Sequence, residues 1–405
     1  MRASRVAAAL PVLVAGSLRA QAPPTPTPDP RTAAIRAEIT QFEALLPTFH
    51  DRGAVLFSLA ADLAQTGDSK SAIARLKECI ALGEGFDVDS VREFQPIEGD
   101  SAFHELAMRA RRASPAVSNA RTAFTVAEKD LIPEGLAFDE KRRVFYLGSL
   151  NRRKIVRIAL DGRFSDLFPA GRDPLLMIVG IRMDPTDETI WACTSDDDGH
   201  SELIHVDASG RLIGRHPGPP GVKHLFNDLV VRRNGDVILT DSEEGRVHRF
   251  DPRSKTFGGV PAGRPLFYPN GIALASDDRS LYVADGLGVV RIDLATGKSG
   301  DVLIEGGTLA GIDGLYWNRG RLVAVQNGIG SPRIVMFTLS RDGARVTKTA
   351  VLERRTEATQ LPTTGAIVGD DFYFIANSQV HNLQNGKVVD PTTLAPIRIS
   401  VVRLP

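Results

Sequence analysis

The sequence predicts a mainly β protein, with a six-bladed β-propeller over residues 118–405 that follows a small α-helical segment. From about residue 122 the chain repeats one phrase six times: a polar or glycine residue, an apolar strand, a turn rich in Asp, Asn, Arg or Gly, a second strand, a loop and a third strand. The phrases recur about every 43 to 52 residues, the period of propeller blades with four strands each. A β-sandwich is the alternative, but it does not explain a sixfold repeat of this length.

We call the residue that opens each phrase its lead residue. The sequence places the six lead residues at Glu134, Gly180, Asn227, Asn270, Asp313 and Gly365. Two further β segments flank the phrases, RTAFTVAE before the first and PIRISVVRL after the last. Because a strand from each terminus in a common blade removes open sheet edges, we predict that these two segments close the ring together.

The N-terminus has the order of a secretory signal, with positive residues, an apolar run and small residues up to about residue 22. The apolar run is too short to span a bilayer, although an uncleaved anchor is the alternative. A signal peptide over 1–22 predicts an exported protein, periplasmic or secreted, without a membrane span after cleavage. Proline recurs through residues 23–31, which predicts an extended, semi-rigid linker.

Residues 32–117 have a helical pattern, with apolar residues such as Ile35, Ile39 and Phe42 three or four positions apart. Asp100 is expected to cap a later helix. The stretch LFSLAADLAQTGDSKSAIARLKECIALG, residues 56–83, resembles one tetratricopeptide unit. Because a single unit cannot bury its own faces, this segment must pack on something else, either as a cap on the propeller or as an arm that binds a protein partner.

The charge balance and the cysteine content bear on which partners and metal sites the sequence favours. The 49 basic residues balance the 49 acidic ones, so the overall charge favours neither nucleic acid nor an anionic membrane. The two cysteines, Cys79 and Cys193, lie in different predicted domains without the spacing of a zinc or redox motif. We expect buried free thiols.

Four lead residues carry side-chain oxygens: Glu134, Asn227, Asn270 and Asp313. In a propeller the innermost strands begin beside the central channel on one face, so these side chains are expected to converge there. Two carboxylates and two amide oxygens form a hard ligand set suited to calcium. The alternative is that the Asn-Gly and Asp-Gly pairs only form turns, but turns do not predict Glu134 before an apolar strand.

Other polar residues are candidates for supporting roles. Asp241 and Asp285 follow second strands and should return to the same face, where they could hold the amides or the metal-bound water from outside. As turn residues they need no such role. His224 precedes Asn227 by three residues and could act as an acid or base, although a lone histidine is more often structural. The acidic run from Asp196 to Asp198, near His200, is either a cation site or a solvated loop.

The phrases PEGLAFD, FNDLVV, PNGIAL with LYVAD, and IDGLYW resemble those of the senescence marker protein, gluconolactonase and luciferin-regenerating-enzyme family, over about Val126 to Leu404. That resemblance implies a six-bladed propeller with calcium, or zinc or another divalent cation in its place. It implies that Glu134, Asn270 and Asp313 are metal ligands. It also implies that Asn227 is either a ligand or a substrate contact.

The resemblance implies hydrolysis of a lactone or ester by a secreted metal-dependent enzyme. The metal would polarise the substrate carbonyl while Asp313 acts as base or nucleophile, two roles that stay open. The arginine that contacts sugar in gluconolactone-specific members is not identifiable, and the second phrase has no polar lead residue. The alternative function is a non-enzymatic propeller that binds a small ligand or a protein.

Overall fold

The computed structural model describes residues 30–88 and 91–405. The predicted signal peptide 1–22 and residues 23–29 of the predicted linker lie outside the described residues. Within the described ranges, no helix has both the length and the apolar character needed to cross a bilayer.

Four α-helices form the N-terminal segment. They are α1 (Pro30–Leu45), α2 (Arg52–Gln65), α3 (Ser69–Leu82) and α4 (Ser101–Ala113). Helix α1 begins inside the predicted linker, because proline is tolerated in a first turn, where its missing N–H has no intrahelical partner. Asp100 caps α4 by accepting a hydrogen bond from the Ala102 N–H at 2.8 Å, as predicted. Helices α2 and α3 form a packed pair joined by a short turn.

The β region forms six four-stranded antiparallel sheets, which confirms the predicted propeller. The chain enters through β1 (Arg121–Val126). Blade 1 consists of β2 (Pro133–Asp139), β3 (Val144–Ser149), β4 (Ile155–Ala159) and β5 (Phe164–Phe168). Blade 2 consists of β6 (Met177–Met183), β7 (Ile190–Ser195), β8 (Ser201–Val206) and β9 (Leu212–Pro217). Blade 3 consists of β10 (Phe226–Val231), β11 (Val237–Asp241), β12 (Arg246–Asp251) and β13 (Thr256–Gly259).

The remaining blades follow in chain order. Blade 4 consists of β14 (Ile272–Leu274), β15 (Ser280–Asp285), β16 (Gly288–Asp293) and β17 (Ser299–Asp301). Blade 5 consists of β18 (Ile312–Asn318), β19 (Arg321–Gln326), β20 (Arg333–Leu339) and β21 (Val346–Arg354). Blade 6 contains β22 (Gly365–Val368) and β23 (Asp371–Ile375), and after the small hairpin of β24 (Leu383–Gln384) and β25 (Lys387–Val388) it receives β26 (Ile397–Arg403).

The two chain ends meet in blade 6. Strand β26 pairs with β23 on one side and with β1 on the other, in the order β1-β26-β23-β22. The predicted closure by the two flanking segments is therefore confirmed. Closure in this way ties residues near position 121 to the last strand of the chain.

Turns between strands are set by aspartate side chains. Asp161, Asp207 and Asp293 each accept a hydrogen bond from the backbone N–H two residues later, at 2.9 to 3.1 Å. This local bond replaces the pairing that the backbone loses where a strand ends. The Asp-rich turns of the repeated phrase thus have a direct structural cause.

The innermost strands of adjacent blades approach one another very closely at the second position of four phrases, which is occupied by Gly135, Gly180, Gly271 and Gly314. A Cβ atom built on Gly180 would lie 2.3 Å from the Asn227 carbonyl oxygen, and one built on Gly271 would lie 2.3 Å from that of Asp313. Neither glycine has a positive φ. Glycine is needed here for close approach and not for a turn, which answers the turn interpretation of the Asn-Gly and Asp-Gly pairs.

The alignment of the innermost strands shows that two predicted lead residues, Gly180 and Gly365, are displaced by one position. Gly180 occupies the second position, equivalent to Gly135 and Gly271, so the lead residue of blade 2 is Val179. Gly365 is likewise preceded by Thr364, whose hydroxyl donates to the Glu134 carbonyl oxygen of blade 1. Sequence alone missed this shift because glycine and a polar residue both open phrases.

The helical segment packs on the propeller face where the innermost strands begin, which we call the mouth face. Its core includes Leu287, Ala310 and Ile329 from loops of blades 4 and 5. The buried Asp87 accepts from the Ser331 N–H at 3.0 Å and pairs with Arg355 at 2.7 Å. The segment therefore caps part of the propeller, one of the two roles expected for it.

Replacing Gly271 with alanine should destabilise the ring. The new Cβ meets backbone rather than a flexible side chain, so we expect a loss of about 1 to 3 kcal/mol in the free energy of unfolding. Gly300→Ala is the matched control, because a Cβ there has no heavy atom within 4 Å. Denaturant unfolding of both variants measures the difference, and equal effects would contradict the close-approach role.

Replacing Asp87 with alanine should remove the buried carboxylate that pairs with Arg355 between the helical segment and blade 5. The Arg355 Nε keeps its hydrogen bond to the Ser114 carbonyl at 2.9 Å. Breaking a buried ion pair in this way costs about 3 to 5 kcal/mol. Asp370→Ala, which removes the partly exposed pairs with Arg319 and Arg403, should cost no more than about 1 kcal/mol. Thermal or denaturant unfolding of the full chain compares the two, and an equally small effect at Asp87 would count against its anchoring role.

Candidate functional site

The lead residues of the six blades form a closed ring around the propeller axis. Contacts of Gly135 with the Val179 carbonyl, of Gly180 with that of Asn227, and of Gly271 with that of Asp313 join successive blades. Gly314 lies against the carbonyl of Thr363, the residue that precedes the blade 6 lead residue Thr364. The Thr240 hydroxyl donates to the Asn270 carbonyl at 2.7 Å, and the Thr364 hydroxyl completes the circle at Glu134.

A β-bulge sits at the lead position in four blades. The register shifts between Pro133 and Leu136 in β2, and equivalent shifts occur in β6, β10 and β18. A bulge places two residues opposite one and re-aims the side chains locally. The shared bulge explains why Glu134, Asn227 and Asp313 have the same place in their blades although they are far apart in sequence.

The two acidic lead residues interact across the mouth. Burial, and then the charge of Asp313, raise the pKa of Glu134 well above its usual value. Burial also raises the pKa of Asp313 to about 6, although amide donors from Asn327 and Asn270 lower it. Two carboxyl groups that each disfavour ionisation form a site where a cation would relieve both desolvation and repulsion.

The amide lead residues are oriented by neighbouring hydrogen bonds. The Asn227 side-chain nitrogen donates to the Ser242 hydroxyl at 2.9 Å, and that hydroxyl in turn donates to the Pro269 carbonyl at 2.6 Å. The Asn270 amide donates to Asp313. Because both amide nitrogens are engaged, the carbonyl oxygens of Asn227 and Asn270 are the atoms available to a cation.

Asn327 is a site residue that the sequence analysis missed. It follows β19, and its side-chain nitrogen donates to the Asp313 Oδ2 at 2.6 Å and to the Pro362 carbonyl at 2.8 Å. Ser378 lies on the other side, with its hydroxyl 3.4 Å from the Glu134 Oε2. Asn327 and Ser378 both follow the second strand of their blade, as Asp241 and Asp285 were expected to do. They lie one and three positions beyond the end of that strand.

The structure places Asp241 and Asp285 away from the lead side chains. Asp285 pairs with Arg264 at 2.6 Å and accepts the N–H groups of Phe267 and Gly288. Asp241 points to His224, with 2.5 Å between the carboxylate Oδ2 and the imidazole Nδ1. Side chains alternate between the faces of a strand, so Ser242, which directly follows Asp241, is the residue that reaches Asn227.

A charged group spans the channel beside the lead residues. Arg182 of blade 2 pairs with Asp228 of blade 3 at 2.6 Å. Its guanidinium also lies over the Tyr316 ring of blade 5, 4.8 Å from the centroid. Burial raises the pKa of Asp228, and the Arg182 charge opposes that rise. Arg182 follows the second lead position by three residues, so blade 2 does supply a polar group to the channel.

The acidic run from Asp196 to Asp198 forms an exposed turn. Asp196 accepts hydrogen bonds from the N–H groups of Asp198 and His200, at 3.0 and 2.9 Å, and its other carboxylate oxygen contacts the His200 ring at 2.9 Å. These hydrogen bonds give Asp196 the role of stabilising the turn.

Comparison with known proteins bears on the fold. No family model matches the chain, and neither does any curated protein. Among solved structures, the PQQ-bound aldose sugar dehydrogenase from Streptomyces coelicolor is 16% identical, with a TM-score of 0.51 over 71% of this chain and 99% of that one. A gluconolactonase from Xanthomonas campestris is 17% identical, with a TM-score of 0.50 over 72% and 97%. A luciferin-regenerating enzyme is 14% identical, with a TM-score of 0.49 over 71% and 95%.

These matches are six-bladed propellers. The chain shares the fold of the sugar dehydrogenase and the gluconolactonase, whose TM-scores are 0.51 and 0.50. Sequence identities this low show a common fold and do not show a common activity. The chemistry therefore has to be argued from the side chains at the mouth.

The raised pKa of Asp313 predicts a pH dependence of stability. The folded chain holds this proton more tightly than the unfolded chain, whose ordinary value is 3.8. Without a cation, stability should therefore fall as pH rises from about 4 to about 6, by up to about 3 kcal/mol. Asp313→Asn lacks the titrating group and serves as reference.

The measurement is the free energy of unfolding of both proteins in chelator-treated buffer across that pH range. The difference between them should change with pH, and calcium should remove the change for the native chain. A difference that stays constant from acid to neutral pH would show that Asp313 titrates normally.

Proposed function

We propose that the protein is a metal-dependent hydrolase of the lactonase or esterase type, with its site at the propeller mouth. The observation that carries this proposal is the pairing of two buried, mutually repelling carboxyl groups, Glu134 and Asp313, within a ring that also holds two oriented amide oxygens. A gluconolactonase with this fold supports lactones as the first substrate class to test.

The donor set fits calcium. Glu134 and Asp313 supply carboxylate oxygens, while Asn227 and Asn270 supply amide oxygens, as calcium sites require. Their side-chain nitrogens are already engaged, so no amide has to reorganise to accept the ion. Zinc or another divalent cation is the alternative, although the absence of nitrogen and sulfur ligands from this set favours calcium. A bound cation supplies polarisation of a substrate carbonyl and stabilisation of the developing oxyanion.

Asp313 is the residue proposed to carry the chemistry. Asn327 fixes its carboxylate through a 2.6 Å hydrogen bond to the Oδ2, and the Asn270 amide donates a second hydrogen bond to the same group. Asp313 then serves either as the base that takes a proton from water or as the nucleophile. Both roles need the ionised carboxylate of Asp313, which the neighbouring amide donors stabilise.

The shape of the mouth restricts the approach of a substrate. The helical segment covers loops of blades 4 and 5, so the proposed approach is over the other blades. Arg182, Asp228 and Tyr316 close the channel across its width and form the floor of the proposed site.

In this proposal the protein is exported by its N-terminal signal, and N-terminal sequencing of the mature chain tests that step.

The function is tested with a panel of lactones and aryl esters on the native chain, Asp313→Asn and a control, Asp161→Asn. Asp161 is an exposed turn residue between β4 and β5, on the opposite face. We expect calcium-dependent hydrolysis by the native chain and the control, and a loss of about 10²- to 10⁴-fold in Asp313→Asn.

Hydrolysis should also stop when calcium is chelated and return when it is restored. Chelator-resistant hydrolysis that survives in Asp313→Asn would overturn the mechanism. No hydrolysis of any member of the panel, with calcium bound, would favour the non-enzymatic binding module instead.

A further inference from the structure

Blade 3 holds a second cluster of ligand-type side chains, separate from the lead residues. Its members are His224 before β10, Asp241 at the end of β11, Glu244 in the following turn and His248 on β12. One ligand atom from each lies within 4.8 Å of those of the other three. The side chains of Asp241, His224 and His248 are 0%, 4% and 7% exposed, and that of Glu244 is 20% exposed.

Backbone pairing brings the cluster together. Strand β11 ends at Asp241, which pairs with Phe226 of β10 and with Arg246 of β12. The tight turn between β11 and β12 is closed by the Glu244 N–H, which donates to the Asp241 Oδ1 at 3.2 Å. The same oxygen accepts the Leu225 N–H at 3.0 Å, next to His224. The Asp241 carboxylate is therefore held in place by the fold.

The spacing of the four ligand atoms is close to that of a tetrahedral zinc site. The Asp241 Oδ2 lies 2.5 Å from the His224 Nδ1 and 3.3 Å from the His248 Nε2. The Glu244 Oε2 lies 3.1 Å from the His248 Nε2 and 3.7 Å from the His224 Nδ1. Zinc bonds of about 2.0 to 2.1 Å to nitrogen and oxygen put tetrahedral ligand atoms roughly 3.3 to 3.4 Å apart. The four distances bracket that value.

The His224 ring has the orientation of a metal ligand. Its Nε2 lies 2.6 Å from the Pro219 carbonyl oxygen, and because a carbonyl only accepts, the Nε2 carries a proton. In the neutral ring the Nδ1 then has a lone pair directed at a carboxylate. Metal-binding histidines are commonly fixed in this way, with the other ring nitrogen donating to a carbonyl.

Two electron-pair donors cannot face each other at 2.5 Å without a positive species between them. Burial lowers the pKa of His224, but the Pro219 carbonyl and the carboxylates of Asp241 and Glu244 outweigh it, so the net shift is upward. The cluster thus attracts positive charge, which is either a proton on the imidazole or a metal ion.

We propose that His224, Asp241, Glu244 and His248 form a structural zinc site in blade 3. Two imidazole nitrogens and two carboxylate oxygens are ligands that zinc accepts in tetrahedral geometry, whereas calcium takes six to eight oxygens. Four protein ligands leave no open position, so the site is structural and not catalytic. The proposal stands independently of the hydrolase function.

The site has a consequence for the mouth. His224 precedes the lead residue Asn227 by three positions, and Ser242, which orients Asn227, directly follows Asp241. Zinc binding therefore fixes the loop before β10 against the β11–β12 turn. Loss of zinc loosens the blade 3 side of the mouth without removing any lead side chain.

The test uses the metal-free full chain, titrated with Zn²⁺ while excess Ca²⁺ is present to occupy the oxygen site at the axis. We expect one zinc ion per chain and a rise in the melting temperature. His248→Gln and Glu244→Gln should weaken zinc binding by more than the roughly 10- to 100-fold that loss of an outer partner costs. His216→Gln, a change in β9 of blade 2, is the matched control and should bind as the native chain does.

Cobalt substitution reports the geometry directly on the native chain, so the test does not depend on whether a histidine variant folds. Co²⁺ should give the intense visible absorption of a four-coordinate ion. A weak six-coordinate spectrum, no stoichiometric uptake, or equal uptake by the native chain and Glu244→Gln would overturn the proposal and leave a buried imidazolium as the positive species. Asp313→Asn should still bind zinc, which separates this site from the axial one.

Discussion

Six innermost strands meet around one axis, and the closeness of that meeting constrains the rest of the propeller. Gly180 and Gly271 lie where a Cβ would come within 2.3 Å of a carbonyl oxygen of the next blade. The lead residue directly before each of these glycines is therefore held at the rim of the channel. Close approach of the backbones, together with the shared bulges, turns residues some 43 to 51 positions apart into neighbours.

Crowding at the axis also raises the free-energy cost of ionising the two acidic lead residues. Glu134 and Asp313 share a desolvated mouth, so each raises the cost of ionising the other. Asn327 and Asn270 partly offset that cost for Asp313, while the Arg182 charge is engaged with Asp228. In the proposed function, a divalent cation bound between the two carboxyl groups offsets this repulsion. One strand further out, blade 3 gathers imidazole and carboxylate groups instead, and the softer donor set there selects a different metal.

The repeat could be predicted from sequence because its cause is local: apolar strands, Asp-containing turns and a fixed period each leave a direct pattern. The ring closure through β1 and β26 followed from the same logic. The lead positions of blades 2 and 6 were displaced by one residue because only the contact between blades distinguishes Val179 from Gly180. His248 and Glu244 were missed, and Asp241 was considered as an outer support of the axial site, because strand alternation and the β11–β12 turn decide which way these side chains point.

A crystal structure of the calcium-loaded chain, with the anomalous signal of calcium measured, tests the central claim most directly. We expect one ion on the propeller axis within about 2.3 to 2.6 Å of oxygen atoms from Glu134, Asn227, Asn270 and Asp313. An axis without an ion at saturating calcium, with the two carboxyl groups protonated and hydrogen-bonded, would contradict the claim. An ion held elsewhere on the propeller would contradict it equally.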